Sequence, residues 1–252
     1  MKKGSEKIYI YGKHALVEAL HAIPRAVKKV YLSRESADNE TQKLLDSQGI
    51  SWNTLKGGQA ANLAGKDAVH QGVIAVIDPG LVMVDFDSFS RELKPSRETM
   101  LVLLDELTDP HNVGAIIRSA VAFGSSGVLI PQHKQAQLTG AVVKVSAGMA
   151  FRVPLVSIGN VNYTIDVLKK KNFRVYGLSI SGSKVARDEE FDEPSLFIVG
   201  NEGRGIRQKT FGRCDATLKI PMHSRAESLN ASVSAAIILY EWSVKNPIAL
   251  RK

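Results

Sequence analysis

Along this chain, short apolar runs alternate with stretches in which apolar residues recur every three or four positions, the pattern of strands exchanged with amphipathic helices. In the first third, KIYIYG (7–12) and VKKVYLS (27–33) read as strands around the helical HALVEALHA. A polar helix near Ser36–Ser47 precedes a third strand, ISWNTL (50–55), and VHQGVIAVI gives a fourth, Val69–Ile77. From Pro79 to about Thr99 the periodicity dissolves, which predicts a linker with room for one short helix.

A second series begins at Met100. Strands fit 100–107, GVLIP (127–131), FRVPLV (151–156), FRVYGLSI (173–180), SLFIVG (195–200) and TLKIPM (217–222), with helical pattern in several of the gaps. Continuous apolar strands joined by helices predict an α/β fold with a largely parallel sheet and helices on both faces. The expected organisation is a first domain over 1–78, a linker over 79–98 and a second domain over 99–252.

Charge and cysteine content narrow the function. The net charge of +8 suits a polyanionic partner such as RNA, and it is spread over both parts rather than gathered in a tail. A single cysteine, Cys214, excludes an internal disulfide and any multi-cysteine metal site, and no metal is expected. No apolar run reaches the ~18 residues of a membrane span. The opening MKKGSEKIYIYG lacks a long apolar segment, so the expected location is cytoplasmic, with no membrane partner.

In parallel α/β sheets, ligands collect beyond the carboxyl ends of the strands. Three such ends carry polar chemistry here. After the strand at Met100, Val113, Ile116, Ile117, Ala120 and Val121 form a helical stripe, with Asn112 in the position of an N-cap and Arg118 off the stripe. FIVGNEGRGI (197–206) packs three glycines into six residues, spaced neither as a Walker loop nor as G-x-G-x-x-G. IPMHSRAESLNASVSAAIILYEW closes a strand and opens a helix with Leu229, Val233, Ala236, Ile237 and Tyr240 on one face and further apolar residues, Ala235, Ile238 and Leu239, on the rest. A terminal helix so apolar all round predicts cover on more than one side, as at a subunit interface.

Taken together, DPHNVGAIIRSAVAFG, FIVGNEGRGI and IPMHSRAESLNASVSAAI resemble the three motifs of the SpoU (TrmH) family of S-adenosylmethionine-dependent RNA 2′-O-ribose methyltransferases, over Leu104 to Glu241. IYGKHALVEAL and VHQGVIA resemble the substrate-binding domain, similar to ribosomal protein L30e, that precedes the catalytic domain in one branch, which includes the enzyme methylating a guanosine of 23S ribosomal RNA. The resemblance implies a trefoil knot in the catalytic domain, a homodimer packed through the C-terminal helix, and RNA, ribosomal RNA first, as substrate. It places cofactor contacts at Gly200, Ile220 and Leu229, with Ser179, Ile180, Gly203 and Met222 as neighbours. It places functional residues at Asn112, Arg118, Glu202, Ser228 and Asn230.

Physical chemistry qualifies one of those roles. A guanidinium is always protonated in proteins, so Arg118 is read as a stabiliser of a developing alkoxide and a bidentate phosphate partner rather than a base. Two other readings are open to the same sequence: methylation of a transfer RNA ribose or of a ribosomal site that confers antibiotic resistance, and a non-catalytic RNA-binding protein that retains the fold.

Overall fold

The computed structural model describes residues 7–56, 60, 63, 65 and 70–251. The chain forms two compact units, Met1–Met83 with Leu138–Arg152, and Val84–Gln137 with Val153–Lys252. Val69, the expected first residue of the fourth strand, lies outside the described residues.

The first unit is built on β1 (Ile8–Tyr11), α1 (Lys13–Ala22), β2 (Val27–Leu32), α2 (Asn39–Ser47), β3 (Trp52–Thr54) and β4 (Val73–Ile77). Its sheet has the order β1-β4-β2-β3, with β4 antiparallel to both neighbours and β2 parallel to β3. Every residue of VIAVI in β4 is buried, as befits an internal strand covered on both faces. Asp38 caps α2, its carboxylate accepting from the Thr41 amide at 2.8 Å.

In the second unit the expected linker is structured. Pro79–Leu81 forms a 3-10 turn at the end of the first unit, then β5 (Met83–Asp85) pairs at the edge of the large sheet and α3 (Phe86–Glu92) follows. Strand β5 is three residues long and too short to show a period, while Phe86 and Ser90 are buried one helical turn apart. Beyond it come β6 (Met100–Asp105), α4 (Pro110–Ala122), β7 (Gly127–Pro131), α5 (Gly140–Val145), β8 (Leu155–Ile158), α6 (Val161–Lys169), β9 (Arg174–Leu178) and β10 (Lys184–Val185). Strand β11 (Ser195–Gly200), α7 (Gln208–Phe211), β12 (Ala216–Lys219) and α8 (Ala231–Lys245) complete the order.

The eight-stranded sheet has the order β10-β12-β9-β11-β6-β7-β8-β5, parallel at every pairing from β10 through β8. All six residues of β6 are buried, with Leu101 and Leu103 in the core cluster of one face and the alternate residues turned to the other. From β6 the chain runs outward through β7 and β8 on one side, then returns to fill β9 and β11 on the other. That reversal makes the β6–β11 junction the topological switch point, where parallel sheets open a crevice. In that pairing Gly200 stands opposite Asp105, so the two strands end level.

Segment 138–152, expected within the second domain, packs instead with the first unit. Gly140 leaves no room for a Cβ against the Tyr9 carbonyl, and the Arg152 guanidinium is bonded to the Glu18 carboxylate, which is buried on α1. The expected strand from Phe151 consequently starts at Leu155, because Phe151 lies in the 3-10 turn that closes this segment. Strand β12 likewise stops at Lys219, leaving Ile220 and Met222 in the loop beyond it. On α8 the buried face is Ala235, Ile238, Leu239 and Trp242, with Trp242 Nε1 donating to Ser195 Oγ at 3.2 Å. Val233 and Tyr240, on the opposite side of the helix, are exposed in the single chain. No helix among the described residues is long and apolar enough to cross a membrane.

Candidate active site

Helix α4 begins one turn earlier than the sequence suggests. Asp109 is its N-cap, accepting from the His111 amide at 2.8 Å, and Pro110 occupies the first helical position, where a missing N–H costs nothing. Asn112 therefore sits inside the first turn, 6% exposed, rather than at the cap. Its amide Nδ2 donates to Glu202 Oε1 at 2.7 Å, and its Oδ1 accepts from Asn230 Nδ2 at 2.9 Å. Asn230 is itself the cap of α8, its Oδ1 accepting from the Ser232 amide at 2.8 Å. One hydrogen-bonded chain, Asn230 to Asn112 to Glu202, thus ties together the three strand ends picked out in the sequence.

The glycine-rich loop between Gly200 and Ile206 is closed by a bridge between Asn201 and Gly205, whose backbone groups exchange hydrogen bonds of 3.1 and 2.9 Å. Asn201 Oδ1 accepts from the amides of Gly203 and Arg204, and its Nδ2 donates to the Glu106 carbonyl at 2.9 Å. The structure gives its own reason for glycine at 200: a Cβ there would collide with the backbone of Gly205 and Ile206. Tightness of the loop on itself requires that glycine, before any ligand is considered.

The loop forms one wall of a cavity of about 410 Å³, a volume within the range of small-molecule sites. All seven residues expected at the cofactor line it: Ser179, Ile180, Gly200, Gly203, Ile220, Met222 and Leu229. Glu202 and Ser228 line it as well, and Ala231, Ser234 and Ile238 close it from α8. Apolar walls from Ile220, Leu229 and Met222 beside exposed loop amides suit a flat heterocycle carrying a polar tail.

Asn112 and Asn230 reach the cavity's edge through Glu202. Arg118 is not brought to it by this chain: six residues beyond Asn112, it is exposed and has no hydrogen-bond or ion-pair partner among the described residues. Burial pushes the Cys214 thiol up to about 11, away from the thiolate form.

Sequence reasoning missed a second polar group at the switch point. Asp105, the last residue of β6, is fully buried and accepts from Arg207 at its backbone amide (3.1 Å) and at Nε (2.8 Å). Glu106 follows with a left-handed φ of 62°, a strained state for a non-glycine residue. Arg207 Nη1 stands 3.5 Å from its carboxylate. The available signal was the acidic pair at the end of an apolar strand, LVLLDE, where a buried carboxylate demands a partner.

Comparison with known proteins agrees with this geometry. Residues 99–240 match the model of the SpoU rRNA Methylase family, and residues 9–80 match that for RNA 2′-O ribose methyltransferase substrate binding. The chain belongs to the SpoU family: it is an RNA methyltransferase whose methyl donor is S-adenosylmethionine. It is 36% identical over 240 residues to a provisionally named TrmH family tRNA/rRNA methyltransferase of Staphylococcus haemolyticus, covering 94% of this chain and 95% of that one. It is 35% identical over 237 residues to the 23S rRNA (guanosine-2′-O-)-methyltransferase RlmB of Pseudomonas putida, covering 92% and 94%. Among solved structures, the SpoU methyltransferase AviRb of Streptomyces viridochromogenes in complex with AdoMet superposes with a TM-score of 0.83 at 25% identity, covering 96% of this chain and 91% of that one.

Proposed function

We propose that this enzyme methylates the 2′-hydroxyl of a guanosine in 23S ribosomal RNA, with Asn112, Arg118, Glu202, Ser228 and Asn230 as its functional residues. The observation that carries the reading is the Asn230–Asn112–Glu202 chain at the edge of the 410 Å³ cavity, because it holds all three motif loops in one arrangement. The 35% identity to a guanosine-2′-O-methyltransferase supports the choice of nucleotide.

The cavity fits S-adenosylmethionine by size and by its mixture of apolar wall and loop backbone, and the bound cofactor supplies an electrophilic methyl on a sulfonium. Gly200, Ile220 and Leu229 hold it, with Ser179, Ile180, Gly203 and Met222 around them. Glu202 is held by Asn112 through Oε1 and lines the cavity, and its role in this reading is to accept from a ribose hydroxyl. Ser228 stands on the opposite loop and closes the site. Arg118, without a hydrogen-bond or ion-pair partner among the described residues, is read as a fixed charge for an RNA phosphate and for the alkoxide that develops at O2′ once RNA is bound.

The same reading includes a homodimer through α8 and, with the family, the trefoil knot. Val233, Tyr240 and Val244 are each about half exposed on the helix side opposite its buried stripe, and Ile248 and Leu250 extend that apolar surface. Residues 1–78 are read as the RNA-binding domain and residues 99–252 as the catalytic one. The test is ribose-methylation mapping of ribosomal and transfer RNA from cells with and without the gene. One guanosine of 23S ribosomal RNA should lose its methyl group, and a lost mark in transfer RNA alone would overturn the assignment.

A further inference from the structure

A second cavity, of about 270 Å³, opens at the carboxyl ends of β6, β7 and β8, on the other side of the switch point from the cofactor cavity. It is small for a ligand pocket and of a size for one flat ring system. Its lining includes Asp105, Glu106, Asn160, Asn162 and Arg207. A Cβ on Gly159 at its wall would meet nothing within 4 Å, so the space is open.

The charges decide what can enter. The Arg207 guanidinium is spent on the fully buried Asp105, whose Oδ1 takes its Nε at 2.8 Å and its Nη2 at 2.6 Å. Glu106 keeps only a 3.5 Å approach from Arg207, longer than a well-formed hydrogen bond, so most of its acceptor capacity is unspent. In the same lining, Asn162 Oδ1 is buried without a hydrogen-bond partner among the described residues. A phosphate here would face the Glu106 carboxylate, whose ion-pair contacts are the 3.5 Å approach of Arg207 and whatever the exposed Lys134 of the same lining supplies. A neutral ring bearing N–H donors would satisfy it.

We propose that this cleft receives the base of the target nucleotide and selects guanine, whose N1–H and N2–H₂ donors match the Glu106 carboxylate. The inference rests on the guanosine reading above and adds the residue that enforces it. The position supports it: Asp105 stands opposite Gly200, so the cleft and the cofactor cavity flank one strand junction, with the Asn112–Glu202 bond between their loops. A nucleotide swung out of its stack would set its base in one and its ribose towards the other, as enzymes acting on single nucleotides do. Sequence offered no hint beyond the acidic pair, since Glu106, Asn162 and Arg207 come from three separated segments of the chain.

The test begins with the unmodified protein and a 23S RNA fragment, the methylated nucleoside being identified by mass spectrometry. A product other than 2′-O-methylguanosine overturns the guanosine reading and the guanine assignment together. With that product established, inosine, which lacks the 2-amino group, is placed at the target by RNA ligation and single-turnover methyl transfer is measured. The inosine RNA should react about tenfold more slowly or worse. Glu106→Gln should lose a similar factor on guanosine, lose little more on inosine, and bind S-adenosylmethionine as before. Equal rates for guanosine and inosine with the unmodified protein overturn the cleft assignment alone, whatever the variant does. An undiminished inosine penalty in Glu106→Gln overturns the role of Glu106.

Discussion

Glu18 in the first unit and Asn112 in the second are both polar side chains buried on helices, at 8% and 6% exposure. Glu18 meets one opposite charge, Arg152, and the pairing is closed: a carboxylate and a guanidinium cancel. Asn112 is neutral and uses both ends, accepting from Asn230 and donating to Glu202, so that it holds Glu202 without supplying an opposite charge. The contrast separates a staple from a scaffold. An ion pair to a buried carboxylate fixes where a segment lies. A buried amide can fix two loops and still leave a charged group free for a substrate, and six residues further along the same helix stands Arg118, whose charge is uncommitted.

The largest effect that would sharpen this comparison is at Arg118. Arg118→Ala should slow single-turnover methyl transfer by about 10²–10³, and Arg118→Lys should also be severely impaired, because it keeps the charge and loses the planar fork. Cofactor titration and the melting temperature should hardly move, since the side chain has no hydrogen-bond or ion-pair partner among the described residues. A collapsed melting temperature would make Arg118 structural and break the contrast.

Asn112→Ala comes next. It strands Glu202 Oε1 and Asn230 Nδ2 together, and should cost about 1–3 kcal/mol of stability in denaturant melts as well as methyl transfer. Stability lost with full activity retained would reduce Asn112 to the same kind of staple as Glu18.

Arg152→Ala should show the opposite division: lower stability, by about 1–3 kcal/mol, with methyl transfer unchanged under conditions where the protein stays folded. Arg152 holds the Glu18 carboxyl below its ordinary value of 4.5, so this stabilisation is full above that pH. It fades as pH falls through the depressed value. The gap in melting temperature between Arg152→Ala and the unmodified protein should therefore narrow in acid; a gap constant from neutral to acid pH would show that the pair is not its source.

The smallest effect on stability is expected on α8. Val244→Glu, on the exposed side, should leave the folding free energy of the protomer within about 0.5 kcal/mol of the parent while shifting the mass in light scattering from dimer to monomer. An unchanged dimer would remove this face from the interface. Ile238 is unsuitable for the purpose, because it is buried within the chain.

Much of the second unit was legible because its strands are buried on both faces and read as unbroken apolar runs: β6, β7 and β11 fall within two residues of expectation. The residues that the family resemblance assigns to the cofactor line one cavity, most of them just beyond strand ends or in the glycine-rich turn. What escaped the sequence was choice among equivalents. Helix α8 is apolar nearly all round, so periodicity could not tell that Ala235, Ile238, Leu239 and Trp242 face inward. Asn112 was read as a cap because nothing local distinguishes Asp109 from it. Contacts across long separations left no trace at all: Asn112 to Asn230 spans 118 residues, and Glu18 to Arg152 spans 134.

That last separation has a consequence for taking the protein apart. Because residues 138–152 belong with 1–83, the chain passes between the two units three times, near 83, 137 and 152. No single cut frees either piece. A fragment ending at Met83 would lack the stretch whose Gly140 lies against Tyr9 and whose Arg152 neutralises Glu18. A deletion that starts at the second unit would keep that stretch and strip it of its seat. Interleaving of this kind makes the boundary a poor place for recombination, so the two units are expected to be inherited as one piece, and any transplant of RNA specificity between relatives must carry both segments at once.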